Sequence, residues 1–82
     1  MNIKEKYDFM CDSKRYVSIL VSIDFFEAIS KGLSEIVNVV IKEVAHKENI
    51  SVVQYTCVGA DNDGKNALIK IIGEYKILKE AL

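Results

Sequence analysis

Along the chain the apolar positions change their spacing several times, and each change marks a predicted element. Between residues 2 and 12, Ile3, Tyr7 and Met10 recur at helical intervals, with Lys4, Glu5, Asp8 and Asp12 elsewhere. That spacing predicts a short N-terminal helix ending near Ser13. Residues 15–23 alternate instead. Val17, Ile19, Val21 and Ile23 fall on one face of an extended chain, and all are β-branched, which favours a strand. Lys14, Ser18 and Ser22 repeat at every fourth position, so a helix is the alternative for this segment.

Asp24-Phe25-Phe26-Glu27 has the form of a capping box and opens a helix through Ala28 and Ile29. Gly32 either ends that helix or sits inside it, at a cost of about 1 kcal/mol relative to Ala. Ser34 offers a fresh N-cap. From there to Glu48, Ile36, Val37, Val40, Ile41 and Val44 make a wide apolar face, opposite Glu35, Asn38 and Lys42. Glu48-Asn49-Ile50 leads into a second strand over residues 51–58, and a polar loop follows at 59–66. Over residues 67–81, Leu68, Ile71, Ile72, Tyr75 and Leu78, continued by Leu82, form a helical stripe that predicts a final helix. Asp63-Gly64 between two apolar runs is also a hairpin signal, and the competing reading pairs a strand at 67–72 with 51–58.

The expected fold is a single small α/β domain over residues 1–82, ordered helix, strand, long helix, strand, helix. Two strands joined by such a helix run parallel with a right-handed crossover. A two-stranded sheet is poorly stable alone, so a dimer joining strand edges is expected to complete it. An all-α helical bundle, with 15–23 helical, is the alternative.

Composition narrows the function classes. Half of the 82 residues are hydrophobic, which argues against disorder. The net charge is −1, and no segment is basic enough for a nucleic-acid footprint, so nucleic acid is an unlikely partner. The N-terminus runs directly into charges, and the apolar stretch at 16–29 is too short and too polar to span a bilayer. The chain reads as cytoplasmic, with no membrane partner. Cys11 and Cys57 then read as free thiols, Cys57 as a small buried hydrophobe in its strand and Cys11 as partly buried. Two cysteines and one histidine fall short of a structural zinc site. His46 lies near the end of the long helix, where a cation is favourable.

The densest candidate chemistry is Gly59-Ala60-Asp61-Asn62-Asp63-Gly64-Lys65-Asn66. Gly59 to Lys65 has the glycine–lysine spacing of a phosphate-binding loop, between a predicted strand and a predicted helix. Asn66, however, stands where a Ser or Thr would hold Mg²⁺, and Asp61 and Asp63 put negative charge where phosphates would lie. Asp61, Asp63 and Gly64 also fit part of a calcium loop, but Lys70 falls where a bidentate Glu belongs. Gly59, Asp61, Asp63, Gly64 and Lys65 therefore form the candidate set for a small ligand or anion. No catalytic residue, metal or cofactor is expected. Residues 28–34 resemble the turn of a helix-turn-helix motif, but the helix after it, 35–43, is mostly apolar with one Lys, which makes a DNA-binding regulator the weakest reading. Tyr7, Phe9, Tyr16, Phe25 and Phe26 cluster in the first third and read as core, any exposed part being a candidate protein interface. The leading expectation is a small soluble, non-catalytic protein-interaction module, not an enzyme. It forms a homodimer and binds another protein as a regulator or assembly factor. Anion binding at 59–66 is the alternative.

Overall fold

Four antiparallel strands and one helical layer take the place of the two parallel strands and three helices expected from the pattern. The computed structural model describes residues 2–76, apart from the side chains of residues 28, 29, 31 and 33. The elements are β1 (Asn2–Cys11), β2 (Lys14–Asp24), α1 (Phe25–Lys31), α2 (Leu33–Glu48), β3 (Ile50–Ala60) and β4 (Asn66–Tyr75). The sheet order is β1-β2-β4-β3, and every neighbouring pair is antiparallel.

The predicted N-terminal helix is the edge strand β1. Ile3 pairs with Val21 on the helix-covered face of the sheet, whereas Tyr7 pairs with Ser18 on the open face, so their spacing marks no common stripe. A bulge between Ile3 and Glu5 shifts the alternation and hides it. Asp12 and Ser13, with φ of 51° and 67°, make the two-residue turn that joins β1 to β2. Positive φ at both positions gives a tight hairpin the twist of its strands.

The predicted final helix is the strand β4, so the hairpin at Asp63-Gly64 is the reading that holds. Ala67, Ile69, Ile71 and Gly73 are buried beneath the helices, while Leu68 and Ile72 are half-buried on the other face. A strand apolar on both faces gives a nearly continuous run, and such a run shows no period of two. Residues 77–82, the remainder of the predicted helix, lie outside the described residues.

β2 and β3 were expected to pair in parallel. They do run in the same direction, because each is antiparallel to β4, but β4 lies between them. The chain turns back after β3 through residues 61–65 and fills the slot beside β2. The all-helical bundle is excluded by the same sheet. With four strands the sheet no longer requires a second chain to complete it, so that argument for dimerisation falls.

One face of the sheet carries the core. Val17, Ile19, Val21 and Ile23 of β2 and Ile69 and Ile71 of β4 alternate inwards, and α2 sets Ile36, Val40 and Val44 upon them. As expected, Asp24 caps α1, its Oδ1 accepting from Phe26 N at 2.7 Å and Glu27 N at 3.4 Å. Gly32, with φ of 89°, ends α1 and separates it from α2. Its carbonyl accepts from Ile36 N at 3.1 Å. Ser34 therefore lies within the first turn of α2 and is not its cap. At the other end Asn49 takes the left-handed conformation and donates to the Ala45 and His46 carbonyls.

Side-chain bonds anchor β1 to the rest of the sheet. Lys6 forms an ion pair with Glu48 of α2, and that hydrogen bond holds the ammonium pKa above its ordinary value. The Tyr75 hydroxyl donates to Asp8 Oδ1 at 2.6 Å, which pushes the phenol pKa up. The Arg15 guanidinium lies 5.2 Å from the centre of the Tyr75 ring.

Candidate functional site

The hairpin between β3 and β4 holds most of the predicted ligand set. Asp61 closes the turn with its backbone, donating to Asn66 O at 3.1 Å and accepting from Gly64 N at 2.9 Å. Its carboxylate bends back into the same turn. Oδ1 accepts from Lys65 N at 3.2 Å and Asn66 N at 3.3 Å, and Oδ2 accepts from Asn66 Nδ2 at 2.7 Å. Gly64 permits this path with φ of 69°. The amides that the motif would offer to a phosphate thus hold a carboxylate of the same loop. Asn66, the residue that spoils the Mg²⁺ position, is the principal partner of that carboxylate. Gly59 stands apart, in a β3 bulge opposite Leu68. Lys65 and Asp63 are exposed. The structure therefore joins Asp61, Gly64 and Lys65 in one turn, with Asp63 at its tip and Gly59 outside it. A shallow open cleft beside the turn is lined by Lys4, Leu20, Asp63 and Leu68 among others.

The bonds to Asp61 make the turn sensitive to acid. The Asn66 side chain, and then the Asn66 and Lys65 amides, hold the Asp61 carboxyl below its ordinary value of 3.8. A depressed carboxylate contributes its full stabilisation above the unfolded value and loses it as pH falls through the folded one. Asp61→Ala should therefore lower the melting temperature relative to wild type at neutral pH. The gap between the two proteins should narrow as pH drops below about 4. Thermal melts of both across that range check it; a gap independent of pH would contradict the bonding just described.

The other expected sites are dispersed. Cys11 and Cys57 are both exposed, against the expectation that Cys57 is buried and Cys11 partly so. They lie on β1 and β3, the two outer strands of the sheet, and the three inter-strand spacings between those strands, roughly 14 Å, already put them too far apart for a disulfide within the chain. His46 is exposed in the last turn of α2. No three His, Cys, Asp or Glu side chains among the described residues come together as a metal-holding group. Across residues 28–43 the structure has a single-residue break at Gly32, with Ile36 and Val40 buried on the sheet. No helix among the described residues is long and apolar enough to cross a membrane.

The aromatic residues expected in the core lie mainly outside it. Phe9 stacks on Tyr16 with ring centres 5.4 Å apart, and Tyr7 tilts against Phe9 at 6.1 Å, all on the open face. Phe26 is 85% exposed on α1.

The least expected surface is β3. Ile50 is buried and Val52 partly so, but every residue from Val53 to Ala60 is exposed. Among the described residues neither face of this stretch is covered, and no strand neighbours its outer edge. Val53, Tyr55 and Val58 are each more than half exposed, and the eleven residues of β3 include no charged side chain. The opposite edge strand differs: β1 carries Lys4, Glu5, Lys6 and Asp8. Charges on an edge strand discourage pairing with other chains, and β3 lacks them. Bulges at Val52/Gln54 and Cys57/Gly59 frame a regular segment, Gln54 to Cys57. The pattern predicts this segment as a strand. Its uncharged run is legible in the sequence too, but its position at the edge depends on where β4 inserts.

Compared with known proteins, the chain matches no family model, no curated protein and no solved structure.

Proposed function

We propose that this chain is a small, non-catalytic, cytoplasmic protein-interaction module that self-associates. One observation carries the reading: β3 beyond Val52 is uncharged and mostly apolar, and among the described residues it is open on both faces and on its outer edge. An unprotected edge of this kind is a template for strand addition, in which backbone hydrogen bonds supply affinity and side chains supply selection. The 59–66 turn supports anion binding less well, because its own Asp61 occupies the amides an anion would need. Sedimentation velocity over a low to high micromolar series tests the proposal. The expected result is a concentration-dependent shift from monomer to dimer mass; a monomer across the whole series would refute self-association.

A further inference from the structure

The proposed self-association leaves open which surface the second copy covers, and the inference below rests on that reading. We infer that two copies join through β3, antiparallel and related by a two-fold axis perpendicular to the sheet, into one continuous eight-stranded sheet.

Charge selects the edge and the occupant. In a strand paired with its own copy the axis residue opposes itself, and a charged strand needs a register in which its remaining charges meet opposites, whereas a strand without ionisable groups carries no such constraint. Like charges directly opposite each other across a strand pair are destabilising. β3 carries no ionisable carboxylate, ammonium or guanidinium along its length, whereas β1 carries four such groups between Lys4 and Asp8. β3 also offers no charge with which to select a charged peptide in place of its own copy.

Parity locates the axis. Paired residues in an antiparallel ladder point to the same face, and a perpendicular two-fold keeps each face on its own side. The axis must therefore bring one residue opposite itself. The regular segment between the bulges runs from Gln54 to Cys57, so its centre falls at Tyr55 or Thr56. Tyr55 and Cys57 pair with Ile71 and Ile69 of β4, which places both on the helix side of the sheet.

The helix layer lies on the Tyr55 side of the sheet. In the two-fold arrangement both α2 helices lie on the same side of the joined sheet, and the two copies of Tyr55 lie on that side between them.

Two measurements test the arrangement. With the axis at Tyr55 or Thr56, the two Cys57 Cα atoms lie roughly 8–14 Å apart on the same face, from strand rise and spacing. A bis-maleimide of that reach should therefore give covalent dimers of the Cys11→Ser protein. The Cys57→Ser protein should give none, because its remaining Cys11 lies on the far edge of the sheet. In sedimentation, Tyr55→Lys should weaken the dimer by about tenfold or more through like-charge opposition, and mixing it with Tyr55→Glu should restore dimer mass. That restoration requires folded chains, so misfolding cannot produce it. Tyr7→Lys on β1 should leave the dimer unchanged. A wild-type monomer would defeat both this inference and the proposed function. A wild-type dimer that survives Tyr55→Lys, or that links through Cys11 and not through Cys57, would overturn the β3 pairing alone.

Discussion

Ile19→Ala should bring the domain close to unfolding at growth temperature. Ile19 is fully buried on β2, a central strand, where it pairs with Lys6 and Ile71 and lies beneath α2. Truncation removes three carbons from a packed site and leaves a cavity, which costs about 2–5 kcal/mol. A chain of this length has roughly 4–12 kcal/mol in total, at 0.05–0.15 kcal/mol per residue. Each kcal/mol lowers the melting temperature by about 4–8 °C in a domain of this size, so the expected drop is on the order of 10–30 °C. Leu20→Ala is the matched comparison. Leu20 is the next residue on the same strand, half-buried on the open face. It should lose less than half as much. Melting curves of the two variants read the parity of β2 directly, and the reverse order would place the core on the wrong face.

The second large effect lies where β4 passes Ile50. Gly73 sits on the buried face of β4, and a Cβ there would overlap Ile50 Cδ1 and stand 3.0 Å from Ile50 Cβ and Cγ1. Ile50 is 1% exposed and has no open space to swing into. Gly73→Ala should therefore destabilise by about 1–3 kcal/mol through overpacking. Ile50→Val removes the overlapping carbon and alone should cost about 0.5–1.5 kcal/mol. The two changes should offset each other in part, so the double variant loses less than the sum by about 0.5 kcal/mol or more. Urea unfolding of the four proteins measures this coupling. Losses that simply add would mean that Ile50 does not lie across Gly73.

How much of this was legible in the sequence depended on whether each strand had one buried face. β2 shows the alternation of Val17, Ile19, Val21 and Ile23 because one face is core and the other carries Ser18 and Ser22. β3 was readable from its β-branched and aromatic content. β1 was not, since an edge strand accepts charge on both faces and its bulge breaks the period. β4 was obscured for the opposite reason: Leu68 and Ile72 are apolar on the face away from the helices, which fills in the alternation and imitates a helical stripe. Asp63-Gly64 was the correct signal for its start.

The 59–66 loop was legible as a place but not as chemistry. Its glycine spacing and its lysine suggested an anion from outside. The bonding shows that the acidic residue marking the motif as incomplete also fills it, with Asp61 accepting from the Lys65 and Asn66 amides. No local pattern reveals which way a carboxylate turns. The exposed edge at β3 was hidden for a topological reason. Its lack of charge can be read along the chain, but an uncharged strand at the centre of a sheet looks the same, and only the β1-β2-β4-β3 order puts it outside.

The central claim is that β3 is an open edge in the single chain and becomes covered by a second copy. Amide hydrogen exchange, resolved by residue in dilute and in concentrated wild-type protein, tests it most directly. Amides between Val53 and Val58 should exchange rapidly when dilute and slow by about tenfold or more when concentrated, while those of β1 between Lys4 and Met10 stay the same. Equal exchange of the β3 amides at both concentrations, or slowing at β1 instead, would contradict the account.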